Sequence, residues 1–175
     1  NDINYNPLNM KLGFIGTGNI VSDVVTGICK SKISFKKIIV SPRNKKKAQQ
    51  LKKKFKKVVI AKNNQDVIDN SDWVFLGVLP EVGEKILPKL QFKNKQVIVS
   101  FISTINYSQL KKIVKKKLKI VRAIPMPPIR LGAGPIAIFP PDKQVKGFFN
   151  KIGKTIEIKN ERLSNNFWAI SGTMA

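Results

Sequence analysis

Short apolar runs and amphipathic stretches alternate along this chain, with few interruptions. Strand-like runs fall at Lys11–Ile15, Lys37–Ser41, Val58–Ala61, Trp73–Val78, Gln96–Ser100, Lys119–Ile124, Pro135–Phe139 and Thr155–Ile158. The early ones are almost wholly apolar, as strands covered on both faces are. Between them, helical spacing predicts Asn19–Lys30, Lys45–Phe55, Asn64–Asn70, Glu81–Leu90, Tyr107–Lys116 and Asp142–Ile152. In the last of these, Val145, Phe149 and Ile152 form one stripe, and Gly153 is placed to end it. Such βα alternation predicts an α/β fold, a Rossmann-like doubly wound and mostly parallel sheet over residues 10–159. Residues 1–9 are polar and aperiodic, so they read as disordered or foreign to the natural chain, with Met10 as its start. Asn160–Ala175 breaks the rhythm. Leu163, Phe167 and Ile170 recur at helical spacing with Trp168 beside them, so the segment reads either as a terminal helix docked on its own sheet or, as we prefer, as the truncated first helix of a second, all-helical domain.

Composition narrows the chemistry. The 175 residues hold one cysteine, Cys29, and no histidine. An internal disulfide, Cys-cluster and His metal sites and Ser-His triads are thereby excluded. No metal is expected, and reactivity must come from a bound cofactor. No run approaches the roughly 18 apolar residues of a membrane span, and no export signal is visible. A cytoplasmic protein without membrane contact is the expectation.

The formal charge is +23, from 33 Lys+Arg against 10 Asp+Glu. That balance raises the question of an anionic partner. Arginine occurs only at positions 43, 122, 130 and 162, however, and the lysine runs lack the interleaved aromatics of nucleic-acid readers. Eight lysines between Lys45 and Lys57 surround Ala48, Leu51 and Phe55, which form one buried helix stripe with solvated faces elsewhere. A solvated surface accounts for them better than a nucleic-acid partner.

One segment carries chemistry. Lys11-Leu-Gly-Phe-Ile-Gly-Thr-Gly-Asn-Ile-Val21 is a strand, a glycine turn and a helix start. Gly16 and Gly18 fill the first two places of a G-x-G-x-x-G fingerprint, which brings backbone N–H groups up to a pyrophosphate at the helix N-terminus. Val21 stands where a third Gly or Ala is expected, so helix and strand must sit slightly further apart. The end of the second strand selects the dinucleotide. An NAD site would place Asp or Glu there. This chain has Ser41-Pro42-Arg43-Asn44-Lys45, beginning 25 residues after Gly16. A hydroxyl, a guanidinium and an ammonium suit the 2′-phosphate of NADP, although Asn44 reads equally as a helix N-cap.

These residues resemble the pyrroline-5-carboxylate reductase family over residues 10–175. Gly13-Phe-Ile-Gly-Thr-Gly-Asn-Ile20 is similar to its opening strand and cofactor loop, and Ser41-Pro-Arg43 to its NADP-selecting segment. Gly77-Val78-Leu79-Pro80 resembles its Val-Lys-Pro motif, and Ser100-Phe-Ile-Ser-Thr-Ile105 the segment after its fifth strand. Arg122-Ala-Ile-Pro-Met-Pro-Pro128 stands where the family has Arg-x-Met-Pro-Asn-x-Pro. Glu161 and Ser171-Gly-Thr173 match residues that open its C-terminal helical domain. The chain departs from the pattern at Leu79, at Met126 and in Ser171-Gly-Thr-Met-Ala175, which lacks the usual Gly-Pro pair.

The resemblance implies an NADP-dependent enzyme that transfers hydride from NADPH to the C=N bond of a small cyclic imino acid, as in proline biosynthesis. Gly16, Gly18, Asn19, Ile20, Ser41, Arg43, Asn44, Val78, Leu79, Pro80 and Ser100 would contact the cofactor. Ser171, Gly172 and Thr173 would hold substrate, with the Thr173 hydroxyl as polarising group. The family's C-terminal helices build a homodimer or larger homo-oligomer and complete each substrate site. An inactive or sensor-like NADP-binding relative remains as an alternative, as does a basic nucleic-acid-binding protein.

Overall fold

The computed structural model describes residues 9–126, 128–164 and 166–167. Eight strands form one sheet: β1 (Lys11–Ile15), β2 (Lys37–Val40), β3 (Val58–Ile60), β4 (Trp73–Leu76), β5 (Val97–Ser100), β6 (Lys119–Pro125), β7 (Pro135–Phe139) and β8 (Lys154–Glu157). Their order is β3-β2-β1-β4-β5-β6-β7-β8. The first six pair in parallel, β7 runs antiparallel to β6, and β8 is parallel to β7. The 3-2-1-4-5-6 core is the doubly wound dinucleotide-binding arrangement. Chain order reverses between β1 and β4, and the loops leaving these two strands open a crevice between them.

Alternation along each strand feeds two hydrophobic layers. Leu12, Phe14, Trp73, Phe75, Val97 and Val99 face α1 (Asn19–Lys30), α2 (Lys45–Lys54) and α6 (Lys143–Phe149). Ile15, Val74, Leu76 and Ile98 face the layer of α3 (Asn64–Asp69), α4 (Pro80–Ile86) and α5 (Tyr107–Val114). Phe14 stacks on Phe75 with ring centroids 4.5 Å apart, and Trp73 packs on Phe148 at 4.9 Å. Burying one such side chain contributes roughly 1.5–3 kcal/mol, so these aromatics fix the sheet beneath the crevice.

Most predicted elements are present, with boundaries set by local chemistry. The helix expected over Glu81–Leu90 begins at Pro80 and gives way at Leu87 to a 3-10 turn, Leu87–Lys89. Pro88 has no N–H to donate, so α-helical hydrogen bonding stops there. The last strand occupies Lys154–Glu157, one residue earlier than the pattern suggests. Helix α2 buries Ala48 and Leu51 and half-buries Phe55, while Lys52, Lys53 and Lys54 face solvent. That is the solvated lysine face expected of the stripe.

The segment from Asn160 opens as a 3-10 turn, Glu161–Leu163, and not directly as a helix. Leu163 is exposed, because this turn points it away from the sheet, whereas Phe167 packs against Ile124, Ala137 and Ile158. Trp168, Ile170 and the predicted substrate residues Ser171, Gly172 and Thr173 lie outside the described residues, as do residues 1–8. Among the described residues, no helix is long and apolar enough to cross a membrane, and no group of His, Cys, Asp and Glu could hold a metal.

Candidate functional site

The crevice at the carboxyl ends of β2, β1, β4 and β5 holds a cavity of about 860 Å³. Four loops line it. Gly16, Thr17, Gly18, Asn19 and Ile20 come from the β1–α1 turn, and Arg43, Asn44 and Lys45 from the start of α2. Gly77, Val78, Leu79, Pro80 and Val82 follow β4, and Phe101, Ile102 and Ser103 follow β5. None of these lining residues is acidic.

The glycine turn is tightly specified. Gly16 has φ +101°, and a Cβ there would lie 2.3 Å from the Gly77 carbonyl oxygen, so only glycine fits. Gly18 differs: a Cβ on it would meet no protein atom within 4 Å and would project into open space. Gly18 is also the N-cap of α1 and supplies no capping side chain, and the first turn of α1 contains no acid. The leading N–H groups of this 12-residue helix are thus left for an anion. Thr17 is 3% exposed, and its Oγ1 has no hydrogen-bond partner among the described residues. A buried hydroxyl without a partner is costly, and a ligand in the cavity would relieve it.

Val21 does occupy the third fingerprint position and is fully buried. Room for it comes from the end of β4, where a Cβ on Gly77 would come within 2.3 Å of Val21 Cγ2. The close packing that a third glycine gives elsewhere is here supplied by Gly77.

Arg43, Asn44 and Lys45 form a cationic end to the cavity. Asn44 is also the α2 N-cap, its Oδ1 accepting from the Lys47 N–H at 3.2 Å. Lys47 reaches across and donates to Asn19 Oδ1. Three lysines, Lys45 to Lys47, sit in the first turn of α2, where the helix dipole is least favourable to positive charge. An anion at this end would offset that repulsion.

Two expected contacts are placed differently. Ser41 is buried, and its Oγ accepts from the Gly16 N–H at 2.9 Å. Its own N–H donates to the Phe14 carbonyl, which continues the β1–β2 ladder and turns the hydroxyl inward. Ser41 therefore holds the glycine turn and does not line the cavity. Ser100 is likewise buried as the last residue of β5, its Oγ accepting from the Ile102 N–H at 3.2 Å. It shapes the loop behind the wall. The remaining expected cofactor residues all line the cavity, and Leu79, 75% exposed at the rim, is the most open large apolar side chain among the described residues.

Sequence reasoning did not assign Thr17, Gly77, Val82 or residues 101–103 to the site. Thr17 stands between the two fingerprint glycines, and residues 101–103 directly follow a strand next to the switch point. The rule that ligands lie beyond the carboxyl ends of the strands points to both.

Residues 11–107 match the family model for NADP oxidoreductases, coenzyme F420-dependent. The chain belongs to this family. Within that broader group, it is similar to pyrroline-5-carboxylate reductases, as its motifs indicate. It is 28% identical over 173 residues to the one from Vibrio alginolyticus, covering 93% of this chain and 63% of that protein. The structure matches the Streptococcus pyogenes 1-pyrroline-5-carboxylate reductase with a TM-score of 0.79 at 27% identity, over 94% of this chain and 64% of that one. It matches the Plasmodium falciparum pyrroline carboxylate reductase, solved with NADP bound, with a TM-score of 0.79 over 94% of this chain and 63% of that one. At 24% identity, this last likeness speaks for the fold alone. The chain thus spans less than two thirds of these relatives. As a member of the NADP oxidoreductase family it has the expected sheet, and its cavity lies at the sheet's switch point.

Proposed function

We propose that this chain binds NADP(H) and forms the cofactor half of a reductase acting on a C=N bond, with a small cyclic imino acid of the pyrroline-5-carboxylate type as substrate. The observation that carries this reading is the cavity itself. A glycine turn and an open helix N-terminus adjoin a cationic end at Arg43, Asn44 and Lys45, with no acidic residue lining the space. A carboxylate after β2 would accept a ribose 2′-hydroxyl and repel a 2′-phosphate, whereas this cluster attracts the phosphate.

Each part of the wall then has a task. The N–H groups at Gly18, Asn19 and Ile20 hold the pyrophosphate, and Gly18 leaves the space it needs. Thr17 donates its buried hydroxyl to the ligand. Val78, Leu79, Pro80, Val82, Phe101 and Ile102 give the opposite end an apolar lining. Bound NADPH supplies the hydride. A protonated imine is already electrophilic, so the protein mainly orients two partners, and a chain with no histidine meets that demand. Ser171, Gly172 and Thr173 are proposed to hold the substrate carboxylate and polarise the imine. The segment from Asn160 onward is proposed to open a helical domain that builds a homo-oligomer in the cytoplasm.

Titration of NADPH and NADH against the intrinsic tryptophan fluorescence tests the cofactor assignment. NADPH is expected to bind much more tightly, and equal affinities would overturn it. The substrate class is tested by following NADPH oxidation with pyrroline-5-carboxylate and related cyclic imines.

A further inference from the structure

Arg122 is 3% exposed on β6, outside the cavity, yet it reaches one of the cavity's walls. Its Nη2 donates to the Ser103 carbonyl at 2.6 Å, and Ser103 lines the cavity beside Phe101 and Ile102. Its Nη1 donates to Glu161 Oε1 at 2.6 Å and lies 3.4 Å from Ser164 Oγ. The same Glu161 oxygen accepts from the Tyr107 N–H at 2.7 Å, at the first residue of α5. One guanidinium and one carboxylate therefore join β6, the loop after β5, the start of α5 and the 161–164 turn.

We infer that Arg122 and Glu161 are positioning residues that fix the 101–103 wall of the cofactor cavity and tie it to the segment beginning at Glu161. This rests on the NADP reading above for its ligand, though not for its structural content. A buried guanidinium needs its partner, because removing the carboxylate leaves an uncompensated charge. Glu161 supplies the counter-charge that keeps the guanidinium fork in place on the Ser103 carbonyl, and its carboxylate also anchors the Tyr107 N–H at the end of the same loop. Neutral strand spacing puts β5 three strands, roughly 14 Å, from β2. The wall held by Arg122 thus lies at the far end of the cavity from Arg43, where a dinucleotide bound by its 2′-phosphate would place its nicotinamide. The clamp bears on that half of the ligand and spares the adenosine half.

The experiment compares the wild-type chain with Glu161→Gln and Arg122→Lys. Glu161→Gln keeps an acceptor for Tyr107 but removes the charge, and Arg122→Lys keeps the charge but removes the fork. In the free protein, amide hydrogen exchange is expected to rise at residues 102–107 in both variants, with β1 and α1 unchanged. Affinity for NADPH is expected to fall about tenfold, the scale of one charge-assisted hydrogen bond, while 2′,5′-ADP binds within about twofold of wild type. Unchanged exchange at 102–107 would overturn the inference. Equal loss of NADPH and 2′,5′-ADP would overturn it as well, since that marks general loosening. Should Arg122→Lys fail to fold, Glu161→Gln carries the same comparison. If the wild-type chain bound neither nucleotide, the NADP reading would fall, and the exchange data would still decide whether the clamp holds the wall.

Discussion

The two ends of the cavity are built in opposite ways. At the cationic end, Arg43, Asn44 and Lys45 are consecutive residues on one turn, exposed and attached to α2 by the Asn44 cap. At the apolar end, Val78, Leu79, Pro80 and Val82 come from one loop and Phe101 to Ser103 from another, and the second of these is bonded by an arginine on β6 that pairs with a glutamate 39 residues further on. The first end depends on local side-chain chemistry. The second depends on long-range packing, so a change distant in sequence can reach it. Gly16, Ser41 and Gly77 join the two ends, because the Gly16 N–H bonds to Ser41 while Gly16 itself packs on Gly77.

If that junction is what aligns the ends, disturbing it should damage both. Gly16→Ala would combine a backbone at φ +101° with a 2.3 Å approach to a backbone oxygen. The expected cost is about 3 kcal/mol or more in chemical denaturation, with loss of NADPH and 2′,5′-ADP binding together. Retained binding of either would show that the ends are independent of the turn.

Arg43→Ala should strike only the cationic end. The preference for NADPH over NADH is expected to shrink by about 1–3 kcal/mol, with NADH affinity and stability nearly unchanged. Competitive fluorescence titration of the two nucleotides measures this, and a variant that keeps its preference would move the 2′-phosphate elsewhere.

Gly77→Ala sharpens the contrast from the packing side. Its methyl would press on Val21 Cγ2, and a destabilisation of about 1–2 kcal/mol is expected. Val21→Ala in the same molecule should recover much of it, because the two sites share one space. Additive losses in the double variant would show that Gly77 is not supplying room for Val21.

The smallest effect is expected from replacing Lys52, Lys53 and Lys54 with Glu. These exposed residues at the far end of α2 should change NADPH affinity only through a long-range attraction that disappears as salt is raised. A loss that persisted at high salt would make them ligand contacts and extend the cationic end along the helix.

Strand and helix positions, the glycine turn and the Ser41–Lys45 segment were legible in the sequence because each rests on local periodicity or on a few adjacent residues. The positions whose surroundings the sequence did not show share a different origin. Ser41 and Ser100 carry hydroxyls suited to a ligand, but strand pairing turns both inward, where backbone N–H groups take them up. Val21 looked like a flaw in the fingerprint until Gly77 was seen opposite it.

The order of apolar and polar residues thus determined a doubly wound sheet and the location of its glycine turn, since side-chain period and glycine conformation are properties of short segments. Only the tertiary structure decided which side chains face the cavity and how Arg122 reaches Ser103 and Glu161. Those contacts join residues 19 and 39 positions apart in the chain. No local pattern encodes such distances, because they arise only when β5, β6 and the 161–164 turn are packed against one another.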